Sequence, residues 1–141
     1  MTELLELRAV VEAPPDRVAE LLLDVRPGGR SPLAAGGEVD EADEGDEFVV
    51  VKDGSRMTVS VDRAARSVAL QGEWWYRGVT SVEPDPRGSR VIHRIFNVAR
   101  GNGWAVRFVS RGPLNAAPRS FAETVHRLGE HLGVAAWVVD D

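Results

Sequence analysis

Between residues 38 and 98 the sequence runs through short segments in which apolar and polar residues alternate, and no helical pattern interrupts them. Met57, Val59 and Val61 alternate with polar neighbours, which gives their segment one buried and one solvated face. Short strands separated by turn residues predict an antiparallel meander and exclude a doubly wound parallel sheet. The predicted strands are Glu38–Ala42, Glu47–Lys52, Arg56–Asp62, Ser67–Gln71, Glu73–Val82 and Ser89–Val98.

A strand and a helix precede this meander. Leu4–Glu12 is rich in strand formers and stops at Ala13-Pro14-Pro15, because proline cannot extend a strand ladder. Prolines suit the first turn of a helix, where the missing N–H has no partner to lose. The predicted helix ends by Pro27-Gly28-Gly29 and carries an apolar stripe at Val18, Leu21, Leu22 and Val25.

A second helix follows the meander. The side chains of Phe121, Val125, Leu128 and Leu132 have the spacing of one buried helix face, and Gly133 is predicted to end this helix after about three to four turns. The segment Trp104–Ser110 fits the start of a helix and the continuation of a strand equally well.

The order strand, helix, six strands, helix predicts a single α+β domain over residues 1–141, because no linker or internal repeat divides the chain. The absence of cysteine rules out disulfides and thiolate chemistry and fits a reducing cytoplasm. Residues Met1–Glu6 do not resemble a signal peptide, and no apolar run approaches the roughly 18 residues of a membrane span. We therefore expect a soluble, cytoplasmic protein.

The charge is unevenly distributed. Seven acidic residues lie between Glu38 and Glu47, whereas the rest of the chain has 17 basic and 15 acidic residues. The basic residues are scattered, so we expect no nucleic-acid binding. Aligning Gly45 with the glycine of a calcium loop puts Ala42 and Val51 at ligand positions, so the calcium interpretation fails. The acidic segment is instead predicted to be a solvated hairpin tip, and no cofactor is expected.

Three segments resemble the START-like or SRPBCC superfamily, also called the Bet v 1-like or helix-grip fold: Val10–Leu22, Gly88-Ser89-Arg90-Val91 and the helix Phe121–Gly133. The family's usual Gly-Thr-x-Val has serine in place of threonine here. The resemblance covers nearly the whole chain. It implies a curved seven-stranded antiparallel sheet wrapped around a long C-terminal helix, with one or two short helices after the first strand. It also implies a cavity between sheet and helix that holds a lipid-like, apolar or aromatic molecule.

The hairpin of the last two predicted strands allows candidate cavity residues to be chosen. If Glu83 pairs with Arg90, one face carries four charges and the other carries no fixed charge. The uncharged face should point to the helix, since burying an unpaired charge is costly. A shift of one residue would reverse this assignment and turn Arg77 and Arg94 inward. The candidate ligand-binding residues are Trp74 as an apolar wall and Tyr76, Thr80, His93 and Asn97 as polar groups.

Each candidate also has a structural interpretation. Tyr76 and Trp74 have the character of core aromatics that find one hydrogen-bond partner. His93 and Tyr76 are weak candidates for acid–base catalysis, because no neighbouring residue supplies a partner for His93. His126 and Glu130 are four residues apart, which indicates a solvated helix face rather than a metal pair. His131 lies five residues from His126, the wrong spacing for a helical zinc site.

The sequence therefore favours binding or carriage of a small apolar or aromatic molecule. One alternative is an aromatase or cyclase acting on a polyketide-like substrate, with His93 or Tyr76 moving protons. A second is a protein-interaction module whose core is filled by its own side chains. Apolar residues Ile92, Phe96 and Val98 on the outer sheet face indicate either a homodimer or a surface covered by the tail, Trp137-Val138-Val139.

Overall fold

A computed structural model describes residues 1–34, 36–39 and 45–139, and these form an antiparallel sheet and a long helix. The strands are β1 (Thr2–Val11), β2 (Glu38–Val39), β3 (Glu47–Lys52), β4 (Ser55–Asp62), β5 (Ser67–Gln71), β6 (Tyr76–Asp85), β7 (Gly88–Asn97) and β8 (Ala136–Val139). The helices are α1 (Pro15–Leu22), α2 (Val106–Val109) and α3 (Arg111–Leu132), and a 3-10 helix at Gly103–Ala105 precedes α2.

The predicted α+β helix-grip fold is confirmed. The sheet has the order β2-β3-β4-β5-β6-β7-β1-β8, so consecutive strands pair from β2 to β7 and β1 then joins β7. The sheet and α1 enclose a core with α3, to which Val11, Phe48, Val59, Val91 and Leu128 contribute fully buried side chains.

Over the described residues the sheet has eight strands, whereas the resemblance implied seven. The eighth is the tail, because β8 pairs with the free edge of β1, with Val10 opposite Trp137. Gly133 ends α3 with a φ of 69°, which reverses the chain after the helix as predicted. Gly129 permits the close return, since a Cβ there would lie 3.0 Å from the Cβ of Ala136.

The first helix begins where predicted but is shorter. Val18, Leu21 and Leu22 of the predicted stripe are buried within it, whereas α1 ends at Leu22 and the buried Val25 lies beyond its end. Pro15 occupies the first turn, and Asp16 in the same turn accepts an ion pair from Arg66 at 2.8 Å.

The last helix is longer than its predicted three to four turns. Phe121, Val125 and Leu128 are buried as expected, but α3 begins at Arg111 and spans 22 residues. The Gly112-Pro113 pair does not break it, because a proline in the first turn loses no helical hydrogen bond. Trp104–Ser110, which the sequence left open, is helical and leads into α3.

The register of the β6–β7 hairpin is the predicted one, with Glu83 opposite Arg90. Both strands extend further towards the turn than expected, β6 to Asp85 and β7 from Gly88, so only Pro86 and Arg87 form the turn. At the other end β6 begins at Tyr76, three residues later than predicted, and β7 ends at Asn97. The Asp85 carboxylate accepts hydrogen bonds from the backbone N–H and the guanidinium of Arg87 at 2.9 and 3.0 Å. These bonds lower the pKa of Asp85 to about 2.

The predicted strand at 38–42 is described only over Glu38–Val39. Residues 40–44, which carry most of the predicted acidic hairpin tip, lie outside the described residues. None of the described helices is long and apolar enough to cross a membrane.

Gly88 and Ser89 join the hairpin to the connection between β1 and α1. Gly88 has a φ of 132°, and a Cβ there would lie 2.7 Å from the carbonyl oxygen of Val11 and 2.8 Å from the backbone nitrogen of Ala13. The buried Ser89 hydroxyl donates a hydrogen bond to the Ala13 carbonyl. The Gly-Ser pair therefore fixes the start of β7 beneath the first helix.

We expect Gly88→Ala to be much more destabilising than Gly54→Ala. Gly54 also has a positive φ, of 80°, but a Cβ there would meet nothing within 4 Å. Gly54→Ala should lower the free energy of unfolding by roughly 1–2 kcal/mol through backbone strain alone. Gly88→Ala adds steric overlap of roughly 1–3 kcal/mol. Urea unfolding of both variants measures the difference, and equal losses would contradict this account.

Candidate functional site

A cavity of about 220 Å³ lies between the first half of α3 and strands β5 to β7. Its sheet side is formed by Leu70, Tyr76, Thr80, His93 and Ile95. Its helix side is formed by Pro113, Ala116, Ala117, Ser120, Phe121 and Thr124, and Leu33 also lines it. Ala117 and Phe121 are buried, whereas Pro113, Ala116 and Ser120 are exposed, so the cavity opens beside the helix.

The cavity exists because small side chains face each other across the core. The lining positions of α3 recur every three or four residues, which places them on one helix face. In the first half of α3 this face carries Ala116, Ala117 and Ser120, whereas Val125 and Leu128 fill the same space further along. The buried Gly78 removes a side chain from the opposing sheet face, between Tyr76 and Thr80.

Thr80 and His93 face each other across β6 and β7 and share a hydrogen bond of 2.8 Å between Oγ1 and Nδ1. Thr80 is only 2% exposed, and the His93 ring stacks on Phe121 with 6.1 Å between ring centroids. Burial lowers the pKa of His93, because the charged imidazolium is poorly solvated there. The ring is therefore neutral near pH 7. Its Nδ1 is engaged by Thr80, and its Nε2 has no protein partner within the described residues.

The Tyr76 ring lies along its own strand, over Gly78. A Cβ on Gly78 would lie 2.5 Å from the Tyr76 hydroxyl oxygen, so only glycine permits this position. Burial raises the pKa of Tyr76, which keeps the phenol protonated as a hydrogen-bond donor. The Tyr76 hydroxyl has no hydrogen-bond partner among the described residues, and its oxygen is not fully buried.

Two of the five predicted residues lie outside the cavity. Trp74 precedes the start of β6, so the alternation of side chains between the two faces of the strand does not extend to it. Its side chain is 40% exposed and donates a hydrogen bond from Nε1 to the Gly101 carbonyl at 3.0 Å. Asn97 sits opposite Tyr76 as the register predicts, but it is the last residue of β7. Its side chain accepts a hydrogen bond from the Ala99 backbone and lines a separate surface groove.

Sequence reasoning missed the whole helix side of the cavity. Four of these residues, Pro113, Ala116, Ala117 and Ser120, lie before Phe121, in a region where the Gly112-Pro113 pair indicated a boundary. A stripe of small residues carries no hydrophobic signal, so periodicity could not reveal it. Leu70 and Ile95 could have been found, because both pair with Gly78 on the inward face of the sheet.

The polar groups of the cavity are uncharged. Among the described residues its lining contains Tyr76, Thr80, His93, Ser120 and Thr124, and no arginine, lysine, aspartate or glutamate. Elsewhere, His126 and Glu130 form the i, i+4 pair predicted for an exposed helix face, at 3.1 Å. Among the described residues no group of three potential ligands is placed to hold a metal ion. The site can therefore bind by hydrogen bonds and apolar contact.

Solved structures with low sequence identity share this architecture. A protein of Nitrosospira multiformis has a TM-score of 0.56 at 12% identity, covering 88% of this chain and 93% of that chain. A protein of Thermobifida fusca has a TM-score of 0.53 at 20% identity, with coverages of 89% and 93%. Ara h 8.0201, a Bet v 1 homologue, has a TM-score of 0.51 at 13% identity, with coverages of 92% and 98%.

No family model matches the sequence, and no curated protein matches it significantly. The structural likenesses show that the chain has the Bet v 1-like fold, which supports the resemblance drawn from the sequence. At this level of identity they show the fold alone, and a fold of this kind hosts many functions.

We expect the stability of the protein to fall below pH 6.5 in part because of His93. Its pKa is lower in the folded than in the unfolded chain, so the unfolded chain binds more protons below 6.5 and stability is lost as the pH falls towards the folded-state pKa. His93→Gln should flatten the pH dependence of the unfolding free energy between 7 and 5, whereas the exposed control His131→Gln should leave it unchanged. If the unfolding free energy changes equally with pH in the unchanged protein and both variants, His93 does not contribute to the pH dependence of stability.

Proposed function

We propose that this chain, a domain of Bet v 1-like helix-grip fold, binds a small, uncharged and mostly apolar molecule in the cavity between α3 and the sheet. The observation that supports this best is that two polar atoms in the cavity lining, the Tyr76 hydroxyl and Nε2 of His93, have no hydrogen-bond partner among the described residues. Polar groups in such surroundings are stabilised when a ligand supplies their hydrogen bonds.

The volume sets the size of the ligand. A cavity of about 150 Å³ in another protein holds benzene, and drug-sized ligands occupy about 300–1,000 Å³. The present cavity, at about 220 Å³, lies between these values. It therefore fits a single ring with one or two substituents, while the open side at Ala116 and Ser120 leaves room for a substituent to reach solvent.

The lining sets the charge of the ligand. A carboxylate would have no cationic partner among the lining residues, and burying an unpaired charge is costly. The Tyr76 phenol offers a donor. Nε2 of His93 is a donor when Thr80 donates to Nδ1, and an acceptor when Thr80 accepts from it. A ring bearing a carbonyl or hydroxyl group satisfies both residues.

The cavity favours this proposal over the two alternatives. A protein-interaction module would have its core filled by its own side chains, whereas here small residues leave an open space. A cyclase substrate with several rings would need more than the volume present. No carboxylate contacts His93 within the described residues to support it as a general base, since its hydrogen-bond partner is Thr80.

We expect Ala117→Leu to weaken ligand binding strongly while Ala122→Leu preserves it. Ala117 is 8% exposed and lines the cavity, so a larger side chain fills the space. Ala122 is exposed on another face of α3 and does not line the cavity. With 4-ethylphenol and acetophenone as probes, calorimetric titration should show affinity reduced about tenfold or more by the first change only. Binding that survives Ala117→Leu would place the site elsewhere.

We also expect discrimination between matched neutral and charged probes. At pH 7 the protein should bind 4-ethylphenol but not 4-ethylbenzoate, because the cavity has no cation to pair with a carboxylate. Tyr76→Phe should weaken binding of acetophenone by roughly three- to tenfold, the loss of one hydrogen bond. Equal affinity for 4-ethylphenol and 4-ethylbenzoate would contradict the proposal that the ligand is uncharged. If none of the three probes binds, the binding function itself is contradicted.

A further inference from the structure

The segment that precedes α3 exposes large apolar side chains to solvent. Trp104 is 72% exposed, Phe108 50% and Val109 47%. Val106 and Ser110, by contrast, are buried and hold the segment against the domain. The aromatic side chains are thus on the outward face of an anchored helical segment, and exposed apolar patches of this kind mark interaction surfaces.

The same surface is rich in arginine. Residues 98–122 contain Arg100, Arg107, Arg111 and Arg119 and no acidic residue, although the chain as a whole has a net charge of −5. All four arginines are exposed, and none forms an ion pair within the described residues. The guanidinium carbons of Arg107 and Arg111 lie 5.0 and 5.6 Å from the centre of the Phe108 ring. Cationic and aromatic groups therefore share one surface.

We propose that this surface, which we call the arginine–aromatic surface (Trp104, Arg107, Phe108, Val109 and Arg111), docks the protein onto anionic lipid membranes. Tryptophan and phenylalanine side chains insert at the boundary between headgroups and acyl chains. Arginines beside them are attracted to the anionic phosphates of the membrane surface. The proposal does not depend on the cavity being occupied.

Charge complementarity favours a lipid surface and also fixes the orientation. The remaining surface carries the negative charge of the chain, including the acidic residues between 38 and 47, and an anionic membrane repels it. The arginine–aromatic surface combines positive charge with apolar side chains that can leave water. Trp74 adds to this region, since its Nε1 donates to the carbonyl of Gly101, three residues before Trp104.

The arginine–aromatic surface lies close to the open side of the cavity. Arg111 is the first residue of α3, and the exposed rim residues Pro113, Ala116 and Ser120 follow within the next three turns. A membrane in contact with the start of α3 therefore lies near the side on which the cavity opens. An apolar molecule would have a short path between bilayer and cavity.

The test is co-sedimentation of the full chain with lipid vesicles. We expect binding to vesicles of equal parts phosphatidylcholine and phosphatidylserine, no binding to phosphatidylcholine alone, and loss of binding as salt is raised. The double variant Arg107→Gln, Arg111→Gln should weaken binding roughly 25-fold, about fivefold for each arginine. Trp104→Ala with Phe108→Ala should also release the protein, and because all four side chains are exposed, folding should be retained.

Matched controls lie on other surfaces. Arg127→Gln removes an exposed arginine from the distal half of α3, and Trp137→Leu removes a partly exposed tryptophan from β8. Both should bind vesicles as the unchanged protein does. The proposal is overturned if anionic vesicles are not bound, if neutral vesicles bind equally well, or if controls and test variants lose binding alike. It is also overturned if the same arginine and aromatic changes instead dissociate a dimer in sedimentation equilibrium.

Discussion

The register of the β6–β7 hairpin is the constraint on which the site depends. Its two-residue turn is held by hydrogen bonds from Arg87 to the Asp85 carboxylate, and these bonds set which residues oppose each other. Because side chains alternate between faces, a slip of β7 by one residue would carry His93 to the solvent side and turn Arg94 inward. The hydrogen bond between Thr80 and His93 would then be lost, and a charged side chain would point at α3.

On the outer face of the sheet, charged pairs fix the register of β7 against its other neighbour, β1. Arg94 lies opposite Glu6 of β1 and donates to its carboxylate at 2.8 Å, and Arg8 pairs with the same carboxylate. Hydrogen bonds from Arg94 and then Arg8 lower the pKa of Glu6. These partly exposed pairs add little stability individually. Their value lies in specificity, since a shifted strand would separate each arginine from its carboxylate and bring one of them towards the core.

The sequence predicted the sheet well because each strand has its own alternating pattern and its own turn residues. Val59 on β4 and the Glu83–Arg90 pairing are examples in which local pattern and final structure agree. The helix side of the cavity was missed because prolines at 113 and 118 resemble helix breakers and small residues leave no apolar stripe. Trp74 was misplaced because β6 begins only after it, and strand ends depend on tertiary hydrogen bonds that no local pattern encodes.

Pro118 divides α3 into two unequal parts. Proline has no N–H to donate to the carbonyl of Leu114, so α3 lacks one backbone hydrogen bond just before Phe121. Beyond it, Val125 and Leu128 anchor the helix in the core, whereas before it only Ala117 is buried. The cavity thus has one wall of paired strands and one wall of helix, and the first two turns of that helix are held to the core by Ala117 alone, so local opening of this wall costs less than opening of the sheet.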